Sequence, residues 1–119
     1  MRVLTVDDSR TIQAMLHHTL SGAGFEVLQA EDGQKGLEVL NTETVDIVIT
    51  DINMPVMDGI EFIKNVRASG QHQSLPILIL TTETSQEKRD LGREAGGTGW
   101  IVKPFDPEKL ISVIRRVVH

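Results

Sequence analysis

The sequence predicts an α/β protein, a doubly wound parallel sheet of five strands flanked by five helices. Three observations carry this expectation. Short apolar, β-branched runs alternate with helix-period stretches along the whole chain. Gly, Pro and Asp clusters punctuate the changeovers. The run Val45-Asp46-Ile47-Val48-Ile49-Thr50 is mostly apolar instead of alternating, as in a strand covered on both faces. Five strand–helix units in succession then call for right-handed crossovers, with helices on both sides of the sheet.

The elements follow in order. Arg2 to Val6 is a short strand that ends at Asp7-Asp8. Ser9 caps a helix whose inward face carries Ile12, Met15, Leu16 and Leu20, and which stops at Gly22-Ala23-Gly24. Phe25 to Gln29 alternates as strand two. Asp32-Gly33 opens helix two, with Leu37 and Leu40 on its buried side. Val45 to Thr50 is strand three. Helix three runs from about Gly59 to Ser69 with Ile60, Ile63 and Val66 inward. Leu75-Pro76 leads into strand four, Ile77 to Leu80, which ends at Thr81-Thr82-Glu83.

Helix four, Ser85 to Ala95, is the weakest element. Its apolar anchors, Leu91 and Ala95, are few, and Gly92 in its interior costs about 1 kcal/mol relative to Ala. It is the element expected to move. Gly99 to Val102 is strand five, Lys103-Pro104 a turn, and Asp106 the cap of a last helix from Pro107 to about Val118.

Composition narrows the function classes. At 119 residues the chain is one domain, spanning 1–119, with room for a real core. Twelve Lys and Arg against 17 Asp and Glu give a net charge of -5, which argues against nucleic-acid or membrane-surface binding. There is no cysteine, so neither a disulfide framework nor a thiolate zinc site exists. No apolar run approaches the roughly 18 residues needed to span a bilayer. Met1-Arg2 leads directly into strand one, so no signal peptide is expected ahead of the fold. A soluble, cytoplasmic, monomeric domain is the expectation.

The chemistry lies at strand ends. Open α/β sheets place ligands outside the carboxyl ends of their strands, and Asp51 stands where strand three ends. A lone Asp there could merely begin a loop. The strand order 2-1-3-4-5 is that of flavodoxin-like folds; nothing in the residues themselves fixes it. That order makes strands one and three neighbours. Asp7, Asp8 and Asp51 then share one crevice, with Thr81 and Lys103 ending the strands beyond. Three carboxylates so close repel unless a cation joins them, and Mg²⁺ with its preference for oxygen ligands answers this. A hydroxyl donor and an ammonium, Thr81 and Lys103, suit the oxygens of a transferred phosphoryl group.

Asp7-Asp8, Asp51 with Met54-Pro55 and Met57-Asp58-Gly59, Thr81, and Lys103-Pro104-Phe105 together resemble the signature of a response-regulator receiver domain. The resemblance covers the chain from first strand to last helix. The Gly99-Trp100-Ile101-Val102-Lys103-Pro104-Phe105 run is most similar to CheY-like chemotaxis regulators, and CheY is itself a standard example of that strand order. The resemblance implies that Asp51 accepts a phosphoryl group from the phosphohistidine of a sensor histidine kinase. It implies Mg²⁺ on Asp7, Asp8, Asp51 and the backbone carbonyl of Asn53, with Thr81 and Lys103 on the phosphoryl oxygens. It also implies a cis Lys103-Pro104 bond, a switch through Thr81 and Trp100, and a phosphoryl lifetime of seconds to minutes tuned by Asn53 and Glu83. Trp100 departs from the Tyr typical of chemotaxis regulators. The readout surface would be helix four, strand five and helix five, where Ile111 and Val118 exceed the inward stripe of Leu110, Ile114 and Val117. Implied partners are the kinase, a flagellar-motor switch protein and a phosphatase; a phosphate sink or the receiver fragment of a transcriptional regulator is the alternative output. Such a protein is no enzyme beyond its own phosphoryl transfer and autodephosphorylation.

Rival chemistries fit poorly. A carboxylate nucleophile needs no activating base. No Gly-x-x-x-x-Gly-Lys-Ser/Thr loop is present to bind ATP, and Gly33-Gln34-Lys35-Gly36 opens a helix on the far edge. A flavin phosphate would be repelled by Asp7-Asp8. A haloacid-dehalogenase-type phosphohydrolase needs Asp-x-Asp, whereas this chain has Asp51-Ile52-Asn53. Adjacent His17 and His18 cannot face one ligand and read as solvent-exposed. Met54 and Met57 read as packing, and Arg115-Arg116 as a solvated face near a helix C-terminus.

Overall fold

The computed structural model describes residues 1–118, so His119, the last residue of the expected domain, lies outside it. Strands β1 (Arg2–Val6), β2 (Glu26–Ala30), β3 (Ile47–Thr50), β4 (Ile77–Thr81) and β5 (Gly99–Val102) form one parallel sheet in the order β2-β1-β3-β4-β5. Helices α1 (Arg10–Gly22), α2 (Gly33–Thr42), α3 (Gly59–Ala68), α4 (Gln86–Ala95) and α5 (Pro107–Val117) connect and follow them. Fold class, element order and strand order agree with the sequence expectation.

Strand alternation divides the core in two. Val3, Ile47, Ile49, Leu78 and Leu80 pack with Leu16 and Leu20 of α1 and Leu110 and Ile114 of α5. Leu4, Val6, Val48, Ile77 and Ile79 pack on the other face with α2, α3 and α4. The central strand β3 is buried at every position, which is why its sequence does not alternate.

Several local expectations are corrected. Strand β2 begins one residue late because the Phe25 amide donates to Leu20 O at 3.0 Å, finishing α1 and not extending the ladder. Strand β3 begins at Ile47, not Val45: the Arg2 amide is taken by the Asp46 side chain at 2.7 Å. Met15 is 42% exposed, so the inward face of α1 is Ile12, Leu16 and Leu20 without it. Phe62, absent from the expected core, is fully buried and is among the largest buried side chains. It lies where a Cβ on Gly36 would be, 2.8 Å from Phe62 Cε1, so the Gly33–Gly36 run serves close packing of α2 on α3. Ile111 and Val118 are half-buried against the α1/α5 core, and the exposed apolar residue of the expected readout surface is instead Val102.

Helix α4 is short of apolar contacts, as expected, but Gly92 is no simple weakness. It is buried, and a methyl there would come 2.7 Å from Ile79 Cδ1 and 3.3 Å from Trp100 Cζ3. The missing side chain is what lets α4 lie down on β4 and β5. At its C-terminus, Arg67 of α3 donates Nε and Nη2 to the Gly96 carbonyl at 3.2 and 2.7 Å, and Nη1 to the His72 carbonyl.

Two stability outcomes follow. Gly92→Ala should gain none of the roughly 1 kcal/mol that helix propensity offers, because Ile79 Cδ1 and the Trp100 ring must both shift to admit the methyl; a higher urea midpoint would show the glycine to be only a weak point. Arg67→Ala should cost about 2 kcal/mol in urea unfolding, with faster amide exchange at Gly96 and Gly97, whose N–H groups close the end of α4. Unchanged exchange there would mean the guanidinium does not hold that end.

Candidate functional site

The register of the sheet brings the site together. Val6 pairs with Thr50, and the ladder continues one step as the Asp51 amide donates to Val6 O at 3.0 Å. Asp7 and Asp51 therefore leave neighbouring strand ends side by side. On the other flank the Lys103 amide donates to Thr81 O at 2.8 Å, so Lys103 leaves β5 at the same edge. The Lys103–Pro104 peptide is cis, as the resemblance implies.

Lys103 Nζ then reaches both carboxylates, 2.8 Å from Asp7 Oδ2 and 2.9 Å from Asp51 Oδ2. All three side chains are at most one-tenth exposed. The other oxygen of each acid is held by the backbone: Asp7 Oδ1 accepts from Ser9 N at 2.9 Å, and Asp51 Oδ1 from Ile52 N at 2.6 Å. Burial pushes the Asp7 carboxyl up, and the hydrogen bonds from Lys103 and Ser9 only partly oppose it. Burial also pulls the Lys103 ammonium down, but the hydrogen bonds to Asp7 and Asp51 outweigh it, so its pKa ends above the usual value. A buried ammonium between two carboxylates is the charged form that each partner favours.

Asp8 is exposed, yet a carboxylate oxygen of Asp7, Asp8 and Asp51 can be drawn from each within 4.8 Å of the others. Three acids against one ammonium leave two negative charges uncompensated. That balance, and an all-oxygen donor set, fit a hard divalent cation such as Mg²⁺.

The remaining expected residues are nearby in different states. Asn53 is exposed, with its amide 3.4 Å from Asp51 Oδ1. Thr81 is fully buried and its hydroxyl oxygen accepts from the Glu83 amide at 3.2 Å, so it makes no hydrogen bond to a carboxylate of the site. The Glu83 carboxylate is turned to the Ser85 amide at 3.1 Å, at the head of α4, not toward Asp51. Trp100 is half-buried beneath α4, with the Arg89 guanidinium 5.9 Å above its ring and a recess of about 330 Å³ beside it. Its indole Nε1 is buried without a hydrogen-bond partner among the described residues. His17 and His18 are exposed, and Met54 and Met57 pack against the core.

Gln13, which helps to build the site, escaped sequence reasoning, and Gly59 was read only as part of the Met57-Asp58-Gly59 signature and the start of helix three. Gln13 of α1 donates Nε2 to the carbonyls of Thr5, Asp7 and Ala30 and takes the Thr5 hydroxyl at 2.6 Å, so one amide fixes the end of β1. The only signal was a polar residue next to the inward stripe of α1. Gly59 presses on the acceptor strand: a methyl there would stand 2.0 Å from Asp51 O, and its amide closes the loop on Ile52 O at 2.8 Å.

The response regulator receiver domain family matches residues 3–115. The chain is 36% identical over 119 residues to the response regulator MprA of Mycolicibacterium vanbaalenii, covering 100% of this chain and 51% of that protein; the chain thus spans about half the length of that relative. It is 40% identical over 112 residues to a chemotaxis protein CheY homolog of Campylobacter jejuni, covering 92% of this chain and 86% of the other. Among solved structures, Vibrio cholerae chemotaxis protein CheY4 matches with a TM-score of 0.93 and 50% identity over 98% of both chains.

Replacing Lys103 by Met keeps the length and removes the charge, leaving Asp7 and Asp51 to face each other. Breaking a buried pair by removing one partner costs roughly 3 kcal/mol. Urea unfolding of Lys103→Met should show a loss of that order, part of it restored by added Mg²⁺; a loss below about 1 kcal/mol would mean the ammonium does not compensate the acids.

Proposed function

The chain belongs to the response-regulator receiver family of two-component signalling, and on that premise we propose that Asp51 accepts a phosphoryl group from the phosphohistidine of a sensor histidine kinase. The observation that carries this reading is the Asp51 carboxylate at the end of the central strand, 2.9 Å from Lys103 Nζ and clustered with Asp7 and Asp8.

Transfer begins when a carboxylate oxygen of Asp51 attacks phosphorus. The O–P bond forms as the N–P bond breaks, and the donor imidazole leaves with the electron pair. The nucleophile is a carboxylate held by the Ile52 amide and lying against Lys103 Nζ, so it needs no base. Lys103 loses its hydrogen bond to Asp51 Oδ2 as that group becomes an acyl phosphate and turns its donors to the phosphoryl oxygens. Thr81 brings its hydroxyl proton to the same oxygens. Asp7, Asp8, Asp51 and the Asn53 carbonyl would hold Mg²⁺, which when bound would offset the charge of the transferring group. Water then attacks phosphorus and returns the carboxylate and inorganic phosphate. Asn53 and Glu83 flank that water once Glu83 is released from Ser85, giving a lifetime of seconds to minutes. No other substrate is turned over.

The likeness to CheY proteins supports a chemotaxis role in the cytoplasm, with α4, β5 and α5 engaging a flagellar-motor switch protein and a phosphatase restoring the resting state. The half-length match to a longer response regulator supports a second reading, the receiver portion of a larger regulator. A phosphate sink that drains a shared kinase is the third output.

Asp51→Asn should reduce labelled transfer from kinase or acetyl phosphate to background; labelling at the wild-type level would remove Asp51 as acceptor. Trp100 is the only tryptophan. Beryllofluoride with Mg²⁺ should change its emission, and Thr81→Ala should abolish most of that change, because a ligand shifts only an equilibrium in which it has differential contacts. Equal responses in both proteins would uncouple Thr81 from Trp100.

A further inference from the structure

Val56 is anomalous in two ways at once. Among the described residues it is the one non-glycine with positive φ, +70°. The Pro55 carbonyl accepts from the Met57 amide at 2.7 Å, so Val56 is the centre of a γ-turn with positive φ, the rarer and strained form. A β-branched side chain is disfavoured in that region. Burial gives nothing in return, since Val56 is 81% exposed.

The loop around it is firmly seated. Gly59 N closes on Ile52 O, Asp58 caps α3 by accepting from Glu61 N at 2.8 Å, and Met57 O lies against Gly33 of α2. Met54 and Met57 face the core while Pro55 and Val56 face out. Val56 is three residues from Gly59, which touches the Asp51 carbonyl, so its Cα is at most about 11 Å from that point. Strain kept at such a place, and fixed by its surroundings, is characteristic of a working contact.

The occupant follows from the reach of the chemistry. Asp51 is 8% exposed, so a protein donor must bring its imidazole into the cleft and rest its body on the rim. A small-molecule donor touches no rim. We propose that Val56 is a docking contact for the protein phosphodonor, an apolar knuckle that seats in a hollow beside the donor's reactive imidazole and sets its position over Asp51. This rests on Asp51 being the phosphoacceptor.

The test compares two donors on one set of variants: the isolated phosphohistidine domain of a chemotaxis-type histidine kinase, and acetyl phosphate, both with Mg²⁺. Val56→Gly and Val56→Asn both accept the left-handed backbone and remove the apolar knuckle. Each should lower kcat/KM from the protein donor about five- to tenfold, mainly through KM. Acetyl phosphate rates should stay at the wild-type value, and Val56→Ile should keep transfer from the protein donor. Thermal unfolding of Val56→Gly should occur at an equal or higher temperature, showing that the fold survives. Wild-type transfer from the protein donor to Val56→Gly overturns the proposal, as does an equal fall with both donors, which would place the effect inside the cleft. If the wild-type chain takes phosphate from neither donor, the acceptor reading fails first and this one falls with it.

Discussion

A single ammonium shared by two buried carboxylates ties together strand ends far apart in the chain. Lys103 lies 96 residues from Asp7 and 52 from Asp51, yet it bonds both within 2.9 Å. Burying two acids side by side is unfavourable without such a charge. The rest of the architecture serves this contact. Parallel register sets Asp7 beside Asp51, the turn after β5 returns Lys103 across β4, and Gln13 and Gly59 fix the backbone beneath the acids. The Lys103 contact is also a reporter of the site's charge, because whatever reaches Asp51 must first share or displace that ammonium.

The same edge carries the connection to the α4 side. Thr81 is the last residue of β4, and its hydroxyl receives the Glu83 amide. Glu83 in turn caps the approach to Ser85 and α4. A pull on Thr81 therefore acts on a short chain of hydrogen bonds leading to the head of that helix. Trp100, paired in register with Ile79 two residues before Thr81, lies on the same face of the sheet. Its buried indole N–H has no acceptor among the described residues, so a rearrangement that supplied one would be favoured.

Strand identity, element order and the site acids were legible in the sequence because each is a local pattern: apolar runs, caps, and carboxylates directly after them. The strand order was legible only through resemblance, since nothing local tells which strands pair. Pairwise packing was hidden. Gly92 reads as a helix defect until Ile79 and Trp100 are seen in its place, and Phe62 reads as one apolar residue among several until Gly36 makes room for it. Met15 sits at helical spacing with Ile12 and Leu16 but falls at the margin of the stripe, where periodicity cannot separate inside from outside. The positive φ of Val56 was invisible for the opposite reason, because valine is the last residue that local rules would put there.

Helix α4 is tethered unequally. Its C-terminal end is held by the Arg67 guanidinium on Gly96, while the Ser85 end carries its own exposed cap, the Glu83 carboxylate and, a turn further on, the Arg89 guanidinium over Trp100. A ten-residue helix is about 15 Å long. Fixed at one end, it is a lever, and a tilt of about 10° carries the free end roughly 2.5 Å while the anchored end hardly moves. The free end is the one adjoining Thr81. Displacements at the acidic cleft that reached this helix would be magnified where the arm swings, and a partner gripping the Gln86–Asp90 half would sense far more of them than one gripping Arg93.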